Sequence, residues 1–86
     1  HTIMKTEEFN NSLRTNTLGE FKDSENNENV LYIEFDDEKQ CINVGTCSNC
    51  GLMTKLSVDY DEDFSLDQNI EDVLEEVFNN GYSYID

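Results

Sequence analysis

Positive charge is what this sequence has least of. Twenty Asp and Glu stand against five Lys and Arg, for a formal net charge of -15 over 86 residues. That imbalance argues against direct binding to nucleic acid or to an anionic membrane, and it costs self-repulsion in the compact state. It suits a partner with a basic surface. The only His is residue 1 and the only Arg is Arg14. Without a further His, a glycine-rich phosphate loop or a Ser/His/Asp set, the usual means of catalysis are missing. Carboxylates abound, but a glycosidase-like pair needs a deep cleft and one raised pKa. A domain this thin is not expected to build one, so the chain reads as a non-enzyme. Proline is absent, and so is any run of about 18 apolar residues or the apolar centre of a signal peptide. A soluble protein of the bacterial cytoplasm, away from membranes, is the expectation.

Cysteine is scarce as well. Cys47-Ser48-Asn49-Cys50-Gly51 has the form of one zinc-ribbon knuckle, but a structural zinc takes four ligands, usually from a second such pair. Cys41 is the only other cysteine, so Cys41, Cys47 and Cys50 would need a site shared between two chains. A redox C-x-x-C usually precedes a helix, whose dipole lowers the thiol pKa, whereas this one precedes a strand pattern. Three reduced thiols, with no metal and no cofactor, are expected.

What is there is one small domain with a thin core. His1-Thr2-Ile3 reads as a remnant of cloning ahead of a natural start at Met4, and residues 4–86 as a single unit. The eleven Asn fit an AT-rich genome, such as that of a low-GC bacterium or its phages. Met4 to Leu13 carries a weak helical pattern, with Met4, Phe9 and Leu13 roughly on one side. Arg14 to Asn29 is polar, and with Leu18 and Phe21 as its only anchors it reads as a mobile connection or a short irregular strand. Val30 to Asp36 alternates as a strand, with Leu31, Ile33 and Phe35 on one face. Cys41 to Thr46 returns with Ile42 and Val44 inward. Leu52 to Asp61 follows, with Leu52, Leu56, Val58 and Tyr60 inward and Lys55, Ser57, Asp59 and Asp61 outward. Ser65 with Gln68 has the form of a capping box. Leu66, Ile70, Val73, Leu74, Val77 and Phe78 then form an apolar helical stripe, which Gly81 ends. The expected fold is α+β: a three-stranded antiparallel meander, wet on one face, packed by a C-terminal amphipathic helix, with a weak N-terminal helix.

Across the end of the last strand and the start of that helix runs DYDEDFSLD, Asp59 to Asp67. Asp59, Asp61 and Asp63 satisfy the opening of a calcium-binding EF-hand loop. Its sixth position requires Gly and its twelfth a bidentate Glu, and Phe64 and Ile70 stand there instead. Alternate acids on a strand also project in parallel about 6.6 Å apart, rather than converging on one ion. The helix continues the acids at Asp67, Glu71 and Glu75, about 6 Å apart along the axis, with Asp72 and Glu76 beside them. Such spacing is comparable to that of successive phosphates on a nucleic-acid strand, so these residues are expected to form a ribbon of negative charge. Tyr60, Tyr82 and Tyr84 would serve as anchors. A solvated face is the plainer account of the same pattern.

In this build the chain resembles the small acidic inhibitors of phages and mobile elements, the anti-CRISPR and anti-restriction proteins that mimic DNA. Locally, VFNNGY after the acidic helix is similar to the FxNG-aromatic helix ending of one anti-CRISPR inhibitor of Cas9. The resemblance implies a host target that normally holds DNA or guide RNA. The alternative is a phage or plasmid accessory protein that works as a homodimer or adaptor, through the Tyr82 to Ile85 segment or an open sheet edge.

Overall fold

The computed structural model describes residues 17–48 and 51–85. The expected helix from Met4 to Leu13 and the second knuckle cysteine, Cys50, lie outside the described residues. The chain runs β1 (Thr17–Lys22), β2 (Glu28–Asp36), β3 (Cys41–Ser48), β4 (Gly51–Asp59), α1 (Leu66–Asn79) and β5 (Ser83–Tyr84). All strand pairings are antiparallel, in the order β4-β3-β2-β1-β5. The fold is thus α+β, but with five strands where the sequence predicts three.

Both additional strands lie on the side of β2 away from β3. β1 pairs with β2 from Lys22↔Glu28 to Thr17↔Tyr32, with a bulge at Leu18. The hairpin is closed by Asp23, whose Oδ1 accepts from the Glu25 and Asn27 N–H groups, both at 2.9 Å. That is a local side-chain turn of the kind Asp favours. β5 adds only Phe21↔Tyr84 and Lys22↔Ser83 to the outer side of β1. Since α1 leaves β4 at one edge and delivers the chain to β5 at the other, it crosses one face of the sheet and covers it.

That covered face is the core. Phe21, Leu31, Ile33, Phe35, Ile42 and Val44 from the strands pack with Val73 and Val77 from α1, flanked by half-buried Leu56, Val58, Ile70 and Leu74. The period-2 pattern of β2 and β3 is therefore realised as the sequence predicts. β4 departs from it. Val44 pairs with Leu56 but Gly45 pairs with Thr54, so Lys55 is an extra residue in β4. A bulge of this kind reverses the faces beyond it. Leu52, expected inward, is the partner of Cys47 and stands on the uncovered face. Gly45 is what admits the bulge: a Cβ there would collide with the Met53 backbone carbonyl.

The helix ends follow their residues. Ser65 Oγ accepts from Gln68 N–H at 3.0 Å, one arm of the expected capping box, while Gln68 Nε2 donates forward to Asp72 Oδ1 at 3.3 Å. At the C-terminus Tyr82 N–H donates to Val77 O and Gly81 N–H to Phe78 O, with Gly81 at φ +94. That pair of bonds is a Schellman motif, and it places Tyr82 against the core beside Val77.

Candidate functional site

The acids sort by the element that carries them. Regular strand ends at Asp59, two residues earlier than expected, so Asp61 and Asp63 belong to a loop. Asn69, 1% exposed on the core side of α1, ties that loop down. Its Oδ1 accepts from Asp61 N–H at 2.9 Å. Its Nδ2 donates to Asp61 O and Ser65 O, each at 2.9 Å. Asp61 Oδ1 accepts in turn from Asp63 N–H at 2.9 Å, closing a tight turn. The alternating row of strand acids is reduced to Asp59 by this geometry, and the loop forms the entry to α1. Tyr60 turns inward and meets Phe35 edge to face at 5.0 Å. Burial pushes its hydroxyl pKa up, with Glu62 adding to the effect.

Asp59 faces away from the helix. It pairs with Cys41, whose other neighbour across the sheet is Asp36, and this row has the parity opposite to core residues Ile42 and Val58. Burial first, then the Asp36 carboxylate and more weakly that of Asp59, push the Cys41 thiol pKa up, against opposing effects of Lys39 and of a hydrogen bond with Ser57. Cys41 is thus a poor nucleophile. Cys41 is buried and Cys47 exposed; six residues apart on one strand, they are separated by about 20 Å, too far to ligate one ion within a single chain. Among the described residues no group of three or more His, Cys, Asp or Glu is placed to hold a metal ion. By the same strand parity Glu20, Glu28, Glu34 and Asp36 share the uncovered face with Asp59.

On the other side of the molecule stands the solvent face of α1. Asp67, Glu71, Glu75 and Glu76 are exposed there and Asp72 is half-buried. The sheet lies between them and Asp59, so strand and helix acids form two acidic faces rather than one ribbon. No Lys or Arg follows Lys55, while Asp59 to Asp86 holds ten acids. This asymmetry is countable in the sequence and is sharper than the spacing. Asp67/Glu71, Glu71/Glu75 and Asp72/Glu76 are like-charge pairs four apart, each destabilising an isolated helix by about 0.2–0.5 kcal/mol. The first turn carries Asp67, which the helix dipole favours, and the last turn carries no base.

The aromatic residues also divide. Tyr82 packs on the core. Tyr84 lies stacked on buried Phe21 at 5.4 Å and meets Phe78 edge to face at 5.0 Å. Tyr84 is 58% exposed and Phe78 38%. The apolar periodicity assigns Phe78 to the core; in the structure it borders the acidic face of α1. Among the described residues no helix is long and apolar enough to cross a membrane. Compared with known protein families, curated proteins and solved structures, the chain finds no match.

Proposed function

We propose that this is a non-enzymatic inhibitor whose α1 face stands in for a nucleic-acid phosphate backbone in the basic groove of a nucleic-acid-binding protein. One observation carries the reading: a 14-residue helix presents exposed carboxylates at about 6 Å intervals, in a segment with ten acids and no cation after Lys55. Asp67, Glu71 and Glu75 form the main row, with Asp72 and Glu76 beside it and Asp61 and Asp63 at its N-terminal end. The Lys and Arg of such a groove would exchange bound counterions for these carboxylates, giving rapid, salt-sensitive association. The resemblance to anti-CRISPR inhibitors makes a CRISPR effector one such target. Asp59, on the far face, would engage only a partner that wraps the β4 edge.

A second reading is favoured by exposed Tyr84 and Phe78: an adaptor or homodimer held by an apolar C-terminal contact. Two charge variants distinguish these. The helix variant carries Glu71→Gln, Asp72→Asn, Glu75→Gln and Glu76→Gln, leaving Asp67 to the helix dipole. The sheet variant carries Glu20→Gln, Glu28→Gln, Glu34→Gln and Asp59→Asn. In capture from a low-GC bacterial lysate, the parent and the sheet variant should retain nucleic-acid-binding proteins that salt releases, and the helix variant should not. Equal capture by the helix variant, or retention that survives high salt, would favour the adaptor.

A further inference from the structure

The exposed end of the aromatic cluster lies beside the helix acids, and together they have a chemistry that neither has alone. Phe21, Phe78 and Tyr84 form a triad, with Phe21–Phe78 at 6.1 Å, Phe21–Tyr84 at 5.4 Å and Phe78–Tyr84 at 5.0 Å. Phe21 is buried and anchors the other two, whose outer surfaces face solvent. On α1, Glu75 precedes Phe78 by three residues and Glu71 precedes Glu75 by four, so the three stand on one side of the helix in successive turns. Neighbours at these spacings have Cβ atoms about 5–6 Å apart.

Exposed aromatic surface rimmed by charge marks an interaction site. A wholly apolar partner would strip water from Glu71 and Glu75 without replacing its hydrogen bonds. A lysine ammonium, compact and strongly hydrated, would use the charge and little of the rings. A guanidinium uses both, laying its flat face on an aromatic ring and directing its N–H edge at a carboxylate. We propose that Phe78, Tyr84, Glu75 and Glu71 form an arginine-docking site. Its occupant is a basic protein segment that places a guanidinium against the Phe78–Tyr84 rings and donates to Glu75. The proposal rests on the phosphate-mimic reading of α1 and deepens it, since the same face would then choose arginine over lysine.

Fluorescein-labelled nona-arginine and nona-lysine carry equal charge and can be titrated with the full chain at one salt concentration. The parent should bind nona-arginine about two- to fivefold more tightly. Tyr84→Leu and Phe78→Leu keep the charges and the apolar bulk, and each should reduce that preference, whereas Tyr84→Phe should retain it. Phe78 also touches Phe21, so if Phe78→Leu loses its circular dichroism transition, Tyr84→Leu decides alone. Equal affinity of the parent for the two peptides, or an undiminished preference in Tyr84→Leu, would overturn the site. The helix charge variant separates the two levels. If it loses both peptides while the parent shows no arginine preference, only the arginine site fails. If it binds both peptides as the parent does, the acidic-face reading fails with it.

Discussion

Asn69→Ala is the perturbation with the most specific consequence. The side chain is 1% exposed and makes three hydrogen bonds, all at 2.9 Å: one from Asp61 N–H, and one each to Asp61 O and Ser65 O. At about 0.5–1.5 kcal/mol per bond the three sum to about 1.5–4.5 kcal/mol. The two carbonyls would keep other donors, since Phe64 N–H reaches Asp61 O at 3.2 Å and Asn69 N–H reaches Ser65 O at 3.1 Å. The group left without its present partner is the N–H of Asp61, a residue that is itself exposed. The expected loss is therefore about 2–3 kcal/mol, a large share of the roughly 4–13 kcal/mol available to 86 residues. Urea unfolding followed by circular dichroism measures it. Amide exchange at Asp61 reports whether the loop has come free, because that N–H is protected only by Asn69. An unchanged urea midpoint together with an unchanged Asp61 exchange rate would refute the clamp.

Three further outcomes follow from the packing and the charge. Gly45→Ala should unfold the domain or move the β4 bulge, because its Cβ would run into the Met53 carbonyl oxygen; a parent-like thermal midpoint with unshifted Met53 and Thr54 amide resonances would show that the bulge is not as described. Val73→Ala, at a fully buried position, should cost about 1.5–3 kcal/mol and more than Leu74→Ala at its half-buried neighbour, as read by urea midpoints; the reverse order would place the helix in a different rotation. Glu71→Gln removes two like-charge pairs from α1 and should raise stability by about 0.4–1 kcal/mol at low salt, an effect that added salt should shrink; a destabilised variant would mean that Glu71 has a structural partner.

Much of the fold is legible residue by residue. Leu31, Ile33 and Phe35 alternate on β2 and are all buried, and Ser65 and Gly81 mark the ends of α1 where the structure puts them. β1 is less legible because Thr17–Lys22 offers only Leu18 and Phe21, and the bulge takes Leu18 out of step. β5 has two residues and exists because the Gly81 turn delivers Tyr84 to Phe21, a tertiary event with no local pattern. Leu52 is misplaced by a period-2 reading because one extra residue at Lys55 inverts the strand, and nothing before Gly45 meets Met53 announces it. Asn69 does leave a trace: with Val73 and Val77 it forms the i, i+4, i+8 row at the centre of the buried face, a place where an amide requires partners. The acid spacing within α1 is also legible. What local spacing does not convey is that the sheet separates Asp59 from Glu71, because the side of an element that faces water is settled only once the layers pack.

The central claim is that α1 occupies a groove built for a phosphate backbone. Its most direct test is competition and salt dependence on one purified partner obtained by capture. Double-stranded DNA or the partner's own RNA should displace the chain competitively. The slope of log affinity against log salt should be steep for the parent and the sheet variant. It should become shallower in the helix variant, by about one for each carboxylate–cation pair that the substitutions remove. A partner that holds the chain and its nucleic acid together, with the same salt slope for the parent and the helix variant, would contradict the account.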